Sequence, residues 1–231
     1  MMSKRVLACA LLWSALVTIS QAAAQMPPSE VELKSYGGLH AAAARGSVDD
    51  IRHLAAAGHV LDARDRNERT PLHVAAFQGH EAAARALLAV GADPNLLDRQ
   101  RYDAVTVAAV RDDVRTVNAL LSGGASARLI TSPYHGTALI AASHLGHHDV
   151  VVELIKAGAP LDHLNNLGWT ALMEAVALGD GGPRHVATVR ALLDGGADRD
   201  VPDRQALTPL HHAKARGYVD IVALLERSPA R

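Results

Sequence analysis

One phrase returns along this chain at a nearly constant interval, and no other feature restricts the fold as much. Its fullest copy reads Thr70-Pro71-Leu72-His73, then Ala75-Ala76, Gly79, Leu87-Leu88 and Gly91-Ala92-Asp93. Partial copies start near Gly37, Asp103, Thr137, Thr170 and Thr208, so successive starts lie 33, 33, 34, 33 and 38 residues apart. A period of this length marks one supersecondary unit stacked on copies of itself. Such a stack builds a broad surface and has no need of a catalytic pocket.

The fullest copy can be read as physics. Thr70 stands where a side-chain oxygen caps free helix N–H groups, and Pro71 follows at the first helical position, where its missing N–H is harmless. Leu72, Ala75 and Ala76 share a face on which small alanines let a second helix come close. Gly79 ends the helix in the left-handed conformation. A second helix begins at His80-Glu81, buries Ala84, Leu87 and Leu88, and stops at Gly91, after which Asp93-Pro94-Asn95 turns the chain outward. The apolar pairs of the other second helices align with it: Ile51 and Leu54, Leu120 and Leu121, Leu154 and Ile155, Leu192 and Leu193, Leu224 and Leu225. Each unit alone leaves an apolar face wet, so stability has to come from its neighbours.

Residues 1–24 follow another grammar. Lys4 and Arg5 precede an apolar run from Val6 to Ile19, and Ala22-Ala23-Ala24 offers a small-residue cleavage site. That is the layout of a secretory signal peptide cut before Gln25 or one residue earlier. The run is too short for the roughly 20 residues a membrane span needs. Removal takes away the sole cysteine, Cys9, and leaves a mature chain with 24 acidic residues against 23 basic ones less Lys4 and Arg5, a net charge of −3. Packing alone then has to hold the protein together in an oxidising space. The expected address is periplasmic or secreted, in a bacterium. Residues 25–36 read as a linker or N-terminal cap.

The T-P-L-H…A-A…G…L-L…G-A-D phrase, carried over residues 37 to 227, resembles the signature of the ankyrin-repeat family. The resemblance implies an all-α solenoid of about six helix-turn-helix repeats with projecting β-hairpin-like loops, running from 37 to 231. It also implies work as a binding module for a protein partner on the concave face. In that family the signature histidines, here His40, His73 and His211, tie neighbouring units. The positions the family uses for contact are the loop tips and the residues before the first helix's glycine. Carried over, they give a partner-binding set of Arg66, Arg69, Phe77, Arg99, Tyr102, Arg111, Tyr134, His144, Leu145, Trp169 and Leu178. Aromatic residues and arginine dominate binding hot spots, though the same rings could simply pack neighbouring tips together.

Departures from the phrase carry information. Gly37-Gly38-Leu39-His40 and the stop at Glu226-Arg227 suit end units that face water. The third copy, Asp103-Ala104-Val105-Thr106, lacks the proline and histidine, and Asp112 replaces the helix-ending glycine at a penalty of about 1 kcal/mol. This predicts a locally soft unit. The fifth copy carries extra residues Asp180-Gly181-Gly182-Pro183-Arg184, read as a surface insertion because the lysine and strand of a phosphate loop are missing.

Other chemistries fit poorly. Of thirteen histidines, only His144, His147 and His148 cluster, without the cysteine or acids of a designed zinc site. Ser143-His144 adjacency makes no nucleophile and base, and no strained elbow surrounds the serine. Asp49-Asp50 and Asp112-Asp113 suit the positive ends of helix dipoles. No catalytic, cofactor or metal site is expected. A chain this close to neutral has no general attraction to nucleic acid or to a membrane, and a monomer is expected. The competing readings are a stress-protective or holdase-like periplasmic factor, and a secreted effector.

Overall fold

A computed structural model describes residues 25–227; the expected leader lies outside the described residues. A short helix, α1 (Glu30–Ser35), precedes six helix pairs. These are α2 (Gly38–Arg45) with α3 (Val48–Ala56), α4 (Pro71–Gln78) with α5 (Glu81–Ala89), and α6 (Ala104–Val110) with α7 (Val114–Ser122). There follow α8 (Ala138–His144) with α9 (His148–Lys156), α10 (Ala171–Ala177) with α11 (Pro183–Asp194), and α12 (Pro209–Arg216) with α13 (Val219–Glu226). The fold is a helical ankyrin-type solenoid, as the repeat predicts. Its fingers are hairpin-like, and among the described residues a single isolated bridge, Thr131 to Gly136, stands in for strands.

The helices start where the sequence supplies an oxygen. Ser47, Thr70, Asp103, Asp113, Thr137 and Thr170 each accept the N–H of the third helical residue. First helices stack on first helices and second on second. The shared core runs down the stack through Leu39, Ile51, Leu72, Leu87, Leu120, Leu139, Leu154, Leu172, Leu192 and Ile221, none more than 3% exposed. Alanines 42, 75, 108, 142 and 175, all fully buried, let the first helices approach each other.

Two rows of hydrogen bonds tie unit to unit. In the first, Nε2–H of His40 donates to the Arg69 carbonyl at 2.9 Å and that of His73 to the Tyr102 carbonyl at 3.0 Å. In the third unit the Thr106 and Thr131 hydroxyls meet at 3.0 Å instead. In the second row a residue at the start of four of the second helices reaches back one unit. His80 donates to Ala44 (3.2 Å), His147 to Ala109 (2.8 Å), His185 to His144 (3.0 Å) and the Tyr218 hydroxyl to Gly179 (2.8 Å).

The fingers share a device the sequence reading did not anticipate. Asp65, Asp98, Ser132, Asn165 and Asp203 each accept the N–H groups two and four residues on. The residue three positions on then turns left-handed: Glu68 (φ 60°), Arg101 (66°), His135 (54°), Gly168 (77°) and Ala206 (60°). Adjacent fingers are joined by main-chain bonds from Arg99 to Asn67, Ser132 to Arg101 and Asn166 to Tyr134, at 2.8–2.9 Å.

Two departures resolve together. Asp112 is left-handed at φ 59°, matching Gly46, Gly79 and Gly217 at 70–71°. Its carboxylate is met at 2.5 Å by Arg184, from the extra residues two units later. The same guanidinium donates to the Gly146 carbonyl at 3.3 Å. The extra segment lies at the surface and is tied down there. Pro183 and Arg184 form the first turn of α11, Asp180 caps Gly182 and His185, and any Cβ at Gly181 would clash with the Tyr218 ring.

Measurements on two residues test this account. Burial draws the His73 ring down to a pKa of about 4 from 6.5. A base depressed in the fold contributes fully above its unfolded value, and that contribution is lost as pH falls from 6.5 towards 4. At 1.36 kcal/mol per unit, the loss approaches roughly 3 kcal/mol. Urea titrations should show His73→Gln less stable at pH 7 but with a flatter slope across this window; parallel curves would contradict the assignment. For Asp112, relief of the left-handed penalty of about 1 kcal/mol competes with an exposed ion pair worth about 0–1 kcal/mol. Asp112→Gly should stabilise more in an Arg184→Ala background than in the native chain. A double-mutant cycle with no coupling would show the pair to be idle.

Candidate functional site

The inner helices end side by side, and their last residues share one wall. Phe77 is the last residue but one of α4, Val110 and Arg111 close α6, His144 and Leu145 close α8, and Leu178 follows α10. The fingers supply the opposite wall through Tyr102, Ser132, Tyr134, Asn165 and Leu167. Between them lies a largely apolar cavity of about 470 Å³, within the range of ligand sites.

Its floor holds a polar chain. The Glu174 carboxylate, 4% exposed, accepts from Asn165 Nδ2 at 2.8 Å and from His144 Nδ1 at 3.0 Å. Asn165 Oδ1 in turn accepts the N–H groups of Leu167 (2.9 Å) and Trp169 (3.1 Å). Both carboxylate oxygens are thus engaged from two different units, as a buried charge requires. With Nδ1–H committed to Glu174, the His144 ring remains partly exposed on the cavity wall.

The N-terminal segment reaches the same place. Gln25 and Pro27 line the cavity, and Pro28 is buried. Met26 donates its N–H to Gln100 Oε1 (2.9 Å), and its carbonyl accepts from Arg69 Nη1 (3.2 Å). Arg69 also donates to Asp65 and to Glu32, each at 2.7 Å, and Tyr36 donates to Asp65 at 2.6 Å. The hydrogen bonds from Tyr36 and Arg69 hold the Asp65 carboxyl below its ordinary range although burial opposes them. Glu32 is lowered too, chiefly by the Ser29 N–H.

Seven of the eleven residues singled out by position converge on this cavity: Phe77, Tyr102, Arg111, Tyr134, His144, Leu145 and Leu178. Four do not. Arg66 and Arg99 stand exposed on the finger edge, with Arg99 3.7 Å from Glu68. Trp169 is half-buried within its own finger. Arg69 is 1% exposed, so it leaves the contact set: its guanidinium fastens the N-terminal cap. Tyr102 is also buried, at 6%, which raises its hydroxyl to about 12 and keeps it protonated. The sequence reading missed Glu174, Asn165 and the returning Gln25–Pro28 segment. A glutamate alone in the apolar run of α10 was the available signal for the first.

His144, His147 and His148 turn to different partners: Glu174, the Ala109 carbonyl and Asp149. Among the described residues no group of three or more His, Cys, Asp or Glu is placed to hold a metal ion. None of the described helices is long and apolar enough to cross a membrane.

Comparison with known proteins agrees with this architecture. The family model for ankyrin repeats in three copies matches residues 24–98 and 105–203. The putative ankyrin repeat protein YahD of Escherichia coli K12 is 38% identical over 93 residues, 40% of this chain and 46% of YahD. Cyclin-dependent kinase inhibitor 2A of Monodelphis domestica is 32% identical over 42% of this chain and 54% of its own length. The chain thus spans about half the length of these relatives. Among solved structures, an ankyrin repeat domain from Acinetobacter baumannii AYE superposes with a TM-score of 0.77 at 39% identity, covering 81% of this chain and 95% of that domain. The human ASB11 ankyrin repeat domain gives 0.69 at 29% identity, covering 85% of each. With its repeat phrase, stacked helix pairs and matched family model in agreement, this chain belongs to the ankyrin-repeat family.

Proposed function

We propose that this protein is an exported binding module that holds a protein partner in the concave groove, without covalent chemistry. Ankyrin repeats are general protein–protein interaction modules, and the convergence of seven position-predicted residues on one apolar cavity carries the more specific reading. Leu145, 39% exposed, and Leu178 supply apolar contact, Tyr134 a ring with a polar tip, and Arg111 a charged rim. That is the mixture of buried anchor and polar edge found at interfaces. Export rests on the leader-like layout of residues 1–24, and the groove is served by a single copy of the chain.

The test is affinity capture by the mature protein from an exported-protein fraction. One partner in stoichiometric yield is expected, reduced at least about tenfold by Leu145→Asp with Leu178→Asp. Val219→Asp, at a site 76% exposed on an outer helix, should leave capture unchanged. Melting temperatures within a few degrees of the parent would show that the variants fold. Many unfolded chains in low yield would favour the holdase reading instead, and capture indifferent to the groove variants would overturn the site.

A further inference from the structure

The groove carries information about what it holds. The cavity-floor carboxylate Glu174 is engaged by Asn165 and His144, and the finger carboxylates are engaged too: Asp65 by Tyr36 and Arg69, Asp98 by the Gln100 and Tyr102 N–H groups, and Asp203 by His212 at 2.8 Å. Arg66 and Arg101 on the fingers and Arg111 on the cavity rim are exposed and form no ion pair among the described residues. Exposed positive charge thus stands on the rim of the apolar cavity at Arg111 and on the neighbouring fingers at Arg66 and Arg101.

The chain's own N-terminal segment is an extended stretch seated beside the cavity. Met26-Pro27-Pro28-Ser29-Glu30-Val31-Glu32 runs apolar to acidic. Its main chain is held in both directions at Met26, by Gln100 and Arg69, while Pro27 lines the cavity. The acidic end follows: Glu32 meets that same Arg69 at 2.7 Å. One arginine therefore reads both a carbonyl and the carboxylate downstream of it. Arg111 is an exposed cation farther along the groove that forms no ion pair among the described residues, although the Asp113 carboxylate lies near it beside Gly79.

We propose that the groove's partner is an extended, acidic segment of another protein. A large apolar side chain sits between Leu145 and Leu178, and flanking carboxylates meet Arg111 and the Arg66–Arg101 edge. This rests on the binding-module reading above and adds the chemistry of the ligand. Exposed charges of this kind act mainly on association rate and selectivity, and their effect is screened by salt.

The experiment pans a displayed library of random dodecapeptides on the purified protein and measures the enriched peptides by fluorescence anisotropy. Peptides combining a large apolar residue with a net negative charge are expected. They should bind several-fold more weakly as salt rises from low to physiological levels, and lose about tenfold or more on Arg111→Glu and on Leu178→Asp. Leu145→Asp replaces the latter variant if its melting temperature drops. Neutral or basic peptides that still need Leu178, or acidic ones indifferent to Arg111→Glu, would overturn the charge assignment and leave the groove in place. Enrichment of no peptide, with a folded partner still captured through the groove, would overturn the extended-segment assignment alone. Peptides indifferent to both groove variants would remove the binding-module site as well.

Discussion

Burial of each unit's apolar face by the next is the interaction on which everything else rests. Helices of seven to twelve residues are marginal in water on their own. Fully burying a leucine or isoleucine contributes about 1.5–3 kcal/mol, and every pair places at least one such residue in the shared core. The exposed ion pairs along the fingers, by contrast, contribute about 0–1 kcal/mol each. Stacking holds the rod together. The histidine and threonine bonds between units fix the register in which it stacks.

Register is what makes the groove. Phe77, Arg111, Leu145 and Leu178 come from four different units and share a wall only because each inner helix ends at the same height. The polar chain through Asn165, Glu174 and His144 crosses from the fifth unit to the fourth and fixes the cavity floor. A ligand site assembled this way needs no specialised loop. It needs neighbouring copies whose exposed positions differ.

Much of this was legible in the residues. The phrase placed the helix starts at Thr70, Thr137, Thr170 and Thr208, because a capping oxygen is a local requirement visible in one dimension. It also marked Asp112 as standing in a glycine slot that recurs at a fixed offset, and the residue is left-handed there. Contacts between distant residues stayed hidden. Position alone put Arg69 at a contact tip, but Asp65, Glu32 and the Met26 carbonyl draw it inside, and none of these partners is implied by the repeat. The return of Gln25–Pro28 to the groove was invisible for the same reason. Asp65, Asp98, Ser132, Asn165 and Asp203 were in plain view at a constant offset before each first helix, yet the finger device they share becomes apparent only once their N–H partners are known.

In an ideal solenoid each unit senses only its immediate neighbours, and the correlation length along the rod is about one repeat. The reach of Arg184 over the fourth unit to Asp112 in the third breaks that rule. It binds the third, fourth and fifth units into one block, and Tyr218 packed against Gly181 extends the block to the sixth. The N-terminal segment does the same from the other end, where Met26 is bonded to Gln100, so contacts longer than one repeat tie the rod at both ends. Leu145 and Leu178, on the groove wall, belong to the units that Arg184 joins.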